Sequence, residues 1–576
     1  MRILFRIFTI MGLLLVARLA VAQTQAPVLL FTDIVTGASS GGENGNGVYI
    51  SIYGKNFGAT QGSSTVTVGG VAPVQYKIWG SGNDPQNPLL DKVVIQIGPS
   101  TSTGNIVMTV NGIQSNALPF TVCTGHIYFV SPSGSDSNSG SFSSPWASPS
   151  HARSVSGAGD TVYFRAGTYT QQENFGAMIL CGACGGSSGA WLNFLGYPGE
   201  TAQLGSSAVP RSVVFVSSGG SIDYLAMGEL YMQAGGESQT GVFGCSSSGG
   251  THCNNIRLVS DNVHLTAGPS VAIDFELPAT NIYIYGNESA NNCPSGCSFD
   301  SRGYSFYAGG NGAQSNFDLG WNNFHDNPYG KGFQIYGHNN GESMTGLYIH
   351  DNLVYNNTMA GMDIGGSDSS TGHWVVDAHI YNNLFWNNSS ANNGREHGAL
   401  KISPFGGAYG TYYVYNNTFY ENAYDGGSGI GGSLSIEGSG PAAAYYDNNI
   451  LYAYPGASCL VYIETTGAFG SVLHFSNNLY NGAGNGITLC NNTGAAPSPD
   501  PAPVTGDPLF VSTSAPDFHL ATTSPAIGAG TSALTTARDL DGKPRPVPPS
   551  IGAYEFASGV SVNRPPPPTN LSVVVQ

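Results

Sequence analysis

The 576 residues are too many for one ordinary compact core, although a solenoid grows to several hundred residues without splitting. Glycine is abundant, at 81 residues, and charged residues make up only 9%, which suits strands and turns and leaves few candidates for chemistry. A formal net charge of −17 argues against a nucleic-acid partner, which needs a basic footprint, and weighs against unaided binding of a polyanionic sugar unless a local cationic site or a metal ion is present.

At the start of the chain, Arg2 and Arg6 precede an apolar run from Ile7 to Val16, and the small-residue pattern Ala20-Val21-Ala22 precedes Gln23. This predicts a signal peptide over residues 1–22, because the run is too short to span a bilayer and Arg18 interrupts its end. No later stretch is long and apolar enough to cross, so the expectation is a secreted, extracellular protein without a membrane span.

From Ala26 to Val122 short alternating strands are separated by Gly, Asn and Ser turns, as in Val48–Ile52, Val66–Val68, Lys92–Ile97 and Ile106–Val110. The pattern predicts a β-sandwich. Tyr53-Gly54-Lys55-Asn56-Phe57-Gly58, Val68-Gly69-Gly70, Ser115-Asn116 and Phe120-Thr121-Val122 resemble an IPT/TIG domain, which implies an immunoglobulin-like module over 26–122.

Eight of the nine cysteines pair off as Cys181 with Cys184, Cys245 with Cys253, Cys293 with Cys297, and Cys459 with Cys490, leaving Cys123. In an exported chain these read as disulfides that clip loops. Zinc is the alternative, against which the pairs fall on different repeats and lack a matching set of histidines.

After Cys123 the chain turns to His126–Ser131 and Asp160–Tyr169, which look like the opening turn of secreted β-helix proteins. Beyond lies an internal repeat. Asn322, Asn352, Asn383, Asn417, Asn449 and Asn478 recur at roughly 29 to 34 residues, each before a pair that includes a β-branched or aromatic residue. One repeat is one coil, since the motifs lack helical spacing. Asparagine at such a corner tolerates left-handed backbone and stacks its amide on the next coil, so the glycosylation-like triplets around Asn357 and Asn417 read as products of the ladder. The fold class is therefore all-β: a parallel β-helix over 125–510, which resembles the right-handed parallel β-helix of the pectate-lyase-like type, behind the sandwich. Ser524–Gly530, Asp539–Pro546 and Ile551–Phe556 resemble the C-terminal end module of secreted bacterial β-helix proteins, which implies that residues 511–557 cap the last coil. A Pro-rich tail over 558–576 follows.

A second strand in each coil reads Phe333-Gln334-Ile335, Met362-Asp363-Ile364, Leu400-Lys401-Ile402 and Leu434-Ser435-Ile436. Its apolar flanks face the core, so Gln334, Asp363, Lys401 and Ser435 form one outward column, extended back through Asp274 and Ser305. Nearby loops add Asp368 and His373 after Asp363, and Arg395, Glu396 and His397 before Lys401. The bland reading of Asp363 beside Lys401 is a solvated ion pair.

Asp363 one coil before Lys401 looks like the active-site strands of family 9 polysaccharide lyases. The resemblance implies that Asp363 is a calcium ligand and Lys401 the base that removes the C5 proton of a uronate. Where that family carries further acids, this chain has Met359 and Ala360, so Glu396 and Asp368 would have to complete the calcium site. Without an ion, Arg395 would be the neutralising charge. The expected site is then catalytic Lys401, Arg395 and His397, substrate-binding Gln334, Tyr336, Ser403 and His373, and calcium-binding Asp363, Glu396 and Asp368. The expected partner is a polysaccharide, bound by a monomer. A glycoside hydrolase using Asp363 and Glu437, or a non-catalytic carbohydrate-binding or adhesion protein, stays open.

Overall fold

The computed structural model describes residues 25–556 apart from 81–85, 208–210, 236–240, 247–248, 269, 295–296, 298–301, 311, 338–341, 367–373, 391–397, 404–407, 424–431, 439–442, 456, 458, 466–472, 483–488, 491–496 and 515. The expected signal peptide and Pro-rich tail lie outside the described residues.

From Ile127 onward the chain winds into a parallel β-solenoid whose strands stack coil on coil. Each later coil lays down one strand on each of three sheets. One coil, for instance, runs through Ala313–Gly320, Asn323–His325 and Phe333–Gly337, and the next through Ser343–His350, Leu353–Tyr355 and Met362–Gly366. We call these the docking, cap and site sheets. The long strand Ser212–Gly228 contributes to the docking and site sheets together. Alternation decides what faces in: Phe333 and Ile335, Met362 and Ile364, Leu400 and Ile402, and Leu434 and Ile436 are all buried in one continuous core.

Asparagine makes the corner between docking and cap sheets. The Asn352 side-chain oxygen accepts from the Asn322 backbone N–H (2.8 Å) and from its Nδ2 (3.0 Å), and the same contacts repeat from Asn352 to Asn383, Asn417, Asn449 and Asn478. Each Nδ2 also donates to a backbone carbonyl of an adjacent coil, as Asn383 does to Ile349 O at 2.9 Å, so the interior amides are satisfied. The ladder begins one coil earlier than the sequence pattern, at Asn287, and ends where Asn478 meets Asp500. A second ladder, which the sequence reading missed, joins Asn292, Asn327, Asn357, Asn388 and Asn422 at the corner before the site sheet. Asn357 and Asn417 are fully buried in these ladders.

One expectation is corrected here. The ladder asparagine is not the residue with left-handed backbone; the residue before it is, namely Trp321, Asp351, Asn382, Asn416, Asn448 and Asn477, with φ between 53° and 57°. The two members of each Asn doublet divide the work, the first turning the chain and the second filling the corner.

The C-terminal segment is also placed differently from a simple end cap. The first asparagines of the doublets point outward and hold it along the side of the solenoid: Asn382 donates to Arg538 O (3.0 Å), Asn448 to Thr531 O (2.8 Å) and Asn477 to Ala529 O (3.0 Å), while Asn416 accepts from Thr536 N–H (3.2 Å). Phe518, Leu540 and Tyr554 pack on Leu353 and Leu384 of the cap sheet. The segment thus spans several coils, and the chain end of the solenoid is closed by Asp500.

Residues 28–122 form two four-stranded sheets that share one apolar core. Observed strands include Tyr49–Lys55, Thr65–Val68, Asp91–Gln96 and Gly104–Val110, close to expectation. This unit packs on the early docking sheet, where Lys92 pairs with Glu229 (2.9 Å), Arg257 donates to Thr32 O (2.6 Å) and the Tyr49 N–H donates to Tyr163 Oη (2.7 Å). No helix among the described residues is long and apolar enough to cross a membrane.

Candidate functional site

On the site sheet Gln334 lies opposite Asp363, Asp363 opposite Lys401, and Lys401 opposite Ser435 in strict parallel register. The column expected from the sequence therefore exists. It continues to Tyr462 on one side, and to Tyr307 and Asp274 on the other. Ser305 is not part of it. That hydroxyl donates to Ser289 O (2.9 Å) and accepts from Asn327 Nδ2 (2.9 Å), so Ser305 belongs to the second asparagine corner and Tyr307 takes the column position.

The column faces away from the core but is not bathed in solvent. Gln334 is 9% exposed, Asp363 4% and Lys401 6%, so the picture of a solvated surface pair is corrected to a buried one. Burying charges is costly unless they are paired, and the pairing comes from a residue the sequence reading overlooked. Lys331 Nζ lies 2.5 Å from Asp363 Oδ2, with both side chains buried, and its ammonium also sits 5.4 Å from the centre of the Tyr304 ring. Asp363 thus stands between Lys331 of the preceding coil and Lys401 of the next. Burial works to raise its carboxyl, but the charges of Lys331 and then Lys401, with the Lys331 hydrogen bond, outweigh it and hold the group below its ordinary value. Further up the column, burial and then Glu276 push the Asp274 carboxyl up to about 8.

The described residues around Asp363 do not by themselves fit a calcium ion. A hard cation wants six or more oxygens, whereas Asp363 already has an ammonium on one oxygen. Its other oxygen, Oδ1, is buried without a hydrogen-bond partner among the described residues, and no cluster of three acidic or metal-ligating side chains occurs among them. Met359 and Ala360, at the positions where acids were expected, are fully buried, Met359 against Val271, Tyr304 and Tyr307.

Of the remaining expected site residues, Tyr336 lies opposite Gly365, half-buried against the same apolar cluster. Ser403 is in register with Gly365, and its side chain lies outside the described part. Arg395, His397, Glu396, Asp368 and His373 all lie outside the described residues. Glu437 is two residues along its strand from Ser435, the partner of Lys401, and its own partner is Glu464. Two coils of ~4.8 Å plus two residues of ~3.3 Å put Glu437 about 12 Å from Asp363 along the backbone grid, beyond the usual ~6.5–9.5 Å of an inverting pair.

The disulfides Cys181–Cys184, Cys245–Cys253 and Cys293–Cys297 form as expected, not a metal site. Cys459 is also disulfide-bonded; the Cys490 side chain lies outside the described part. Cys123 is free and half-buried.

No family model matches the sequence, and no curated protein matches it. Among solved structures the chain is similar to pectate lyase Pel9A, at 16% identity and a TM-score of 0.39, covering 75% of this chain and 97% of that one. It is similar to XylC in complex with xylose at 11% and 0.36, covering 75% and 98%, and to a rhamnogalacturonan lyase at 16% and 0.32, covering 61% and 87%. At this degree of overlap the likenesses assign neither activity nor residues.

Proposed function

We propose that the protein is a secreted polysaccharide lyase that cleaves a uronate-containing, pectate-like chain by β-elimination. The observation that supports this reading is the buried series Lys331, Asp363, Lys401 on adjacent coils of a rigid parallel sheet. Elimination needs a cation facing the uronate carboxylate, a base for the C5 proton and an acid for the leaving oxygen. Lys401 is the base: it takes the C5 proton, the C–H electrons form the C4–C5 double bond, the C4–O bond breaks, and the departing oxygen acquires a proton. A lysine accepts a proton only in its neutral form; burial favours that form, the Asp363 carboxylate opposite Lys401 opposes it, and the step therefore calls on the neutralising charge of Arg395. Regular strands hold such groups to a fixed separation. Arg395 and His397 are the proposed neutralising and proton-donating groups, with Gln334, Tyr336, Ser403 and His373 lining the sugar path. Calcium enters this reading only if Glu396 and Asp368 complete a ligand set with Asp363.

Export rests on the residue 1–22 pattern and agrees with the three disulfides. Residues 26–122 are proposed as an IPT/TIG immunoglobulin-like module, in keeping with their two facing sheets.

The deciding experiment incubates the protein with pectate, alginate and neutral plant glycans, in calcium or in chelator, and follows both ultraviolet absorbance of unsaturated product and new reducing ends. Absorbance rising with reducing ends supports elimination. Reducing ends alone would show a hydrolase, and neither signal, with sugar retained on the protein, a binding module.

A further inference from the structure

The resemblance noted in the sequence would have Asp363 hold a calcium ion that in turn holds the substrate's carboxylate. The structure puts a lysine there. Lys331 reaches Asp363 Oδ2 at 2.5 Å, its own backbone carbonyl is tied into the second asparagine corner by Asn327 Nδ2 (3.1 Å) and by the Ser305 N–H (3.2 Å), and its ammonium lies near the Tyr304 ring. A side chain anchored this way is part of the built site and not a surface lysine that drifts onto a carboxylate. The acids that would help Asp363 ligate a metal are replaced by buried Met359 and Ala360.

We infer that Lys331 replaces the divalent cation of this site, so that the carboxylate of an acidic sugar is recognised by ammonium groups and without a metal. This rests on the lyase reading for its substrate class, a uronate oligomer, but not for its physics. Lys331 and Lys401 bracket one carboxylate, and that arrangement draws a second carboxylate toward the column in a protein whose net charge of −17 would otherwise repel it. Asp363 then positions the two lysines and is not itself a ligand of metal or sugar; its unpartnered Oδ1 faces no described donor. Lys401 has contacts of its own beyond this pair, and the inference concerns only what neutralises Asp363.

The test uses the full chain and three probes, trigalacturonate, trimannuronate and neutral galactotriose, by calorimetry in the cold, with calcium chloride or with chelator, alongside thermal unfolding in the same buffers. One of the two acidic trimers should bind in chelator, more weakly as sodium chloride rises, while galactotriose does not, and calcium should leave the unfolding temperature unchanged. Lys331→Met should weaken that binding about tenfold or more, because it strips a charge from the site. Since that variant leaves a buried carboxylate with one counter-charge fewer, the double variant Lys331→Met with Asp363→Asn is the control: removing both partners together should restore binding to within about threefold of the parent. Asp363→Asn alone should bind the acidic trimer at least as well as the parent. Binding that requires calcium, a calcium-dependent rise in unfolding temperature lost in Asp363→Asn, a Lys331→Met protein that binds as the parent does, or a parent that binds neither acid, would each overturn the inference. Binding in chelator without any unsaturated product would sink the lyase reading and leave this one standing; elimination that depends on calcium would do the reverse.

Discussion

Two columns climb the same solenoid, one at the corner between docking and cap sheets and one on the outer face of the site sheet. At the corner the residue is asparagine from Asn287 to Asn478, because each amide must donate up and down the stack and accept twice in return, and no other side chain offers that pattern in the same volume. On the site sheet the register is equally strict, yet the residue changes at each step from Asp274 through Tyr307, Gln334, Asp363, Lys401 and Ser435 to Tyr462. Where the backbone demands a residue it recurs; where the register holds and the residue does not, the fold has left the choice to something else. Within the variable column, the segment that carries opposite charges side by side is the place where chemistry is expected.

That contrast can be broken or sharpened by substitution. Lys401→Met should lower product formation by roughly 10²–10⁴-fold, the usual worth of a positioned base, while costing less stability than a ladder variant, since Asp363 keeps Lys331. A loss of stability as large as that of a ladder variant would erase the distinction between the columns. Asn383→Ala should do the opposite. It removes the acceptor for Asn352 and both donors to Ile349 O and Asn417 Oδ1, and stranding those buried groups costs about 3–5 kcal/mol in denaturant unfolding. The protein that remains folded should keep its turnover per molecule.

His350 asks whether a residue that does not recur is always there for chemistry. It is buried on the docking sheet between Asp318 (2.8 Å) and Asp351 (2.7 Å), and stacks on Tyr381. Burial alone would lower its pKa; the two carboxylates outweigh burial and raise it from 6.5 to about 10. A folded-state value above the unfolded one means the stabilisation is complete below about pH 6.5 and is lost as the pH rises through about 10. His350→Gln should therefore cost on the order of 3 kcal/mol at about pH 6, shrinking steadily toward about pH 10, with no effect on product yield from folded protein. A flat difference across that range would show that the imidazole's charge is not what Asp318 and Asp351 hold. The smallest effect is expected at exposed Asn387, which turns the chain before the second ladder at φ 54° and whose side chain donates to Asn356. Asn387→Gly should change stability by about 0.5 kcal/mol or less, because glycine takes that backbone without strain.

The legibility of these columns differed for physical reasons. A corner that needs one amide per coil writes its period into the chain, so Asn322 through Asn478 were visible as a ladder. The second ladder escaped because two of its members, Asn327 and Asn422, follow an acid and lack the doublet that marks the later coils of the first. In Tyr304–Gly309 Ser305 and Tyr307 lie two residues apart on one face of the strand, so alternation could not say which of them is in register with Gln334, and the polar one was chosen wrongly. Lys331 precedes its strand and pairs with a residue 32 positions away, a distance at which no local pattern points to a partner. The C-terminal segment resembled an end cap, but its seat was set by the outward side chains of four doublets, which a motif at residues 524–556 does not reveal.

The sequence by itself determined the stacking: alternation chose the core face, the Asn period chose the coil, and the cysteine spacing chose three of the disulfides, all through contacts that repeat or lie close along the chain. Only the tertiary structure decided that the charged column is buried and that Lys331 closes on Asp363. Those outcomes depend on which groups different coils bring within a few ångströms of one carboxylate, and the energy of a charge is set by everything that surrounds it, not by its neighbours in sequence.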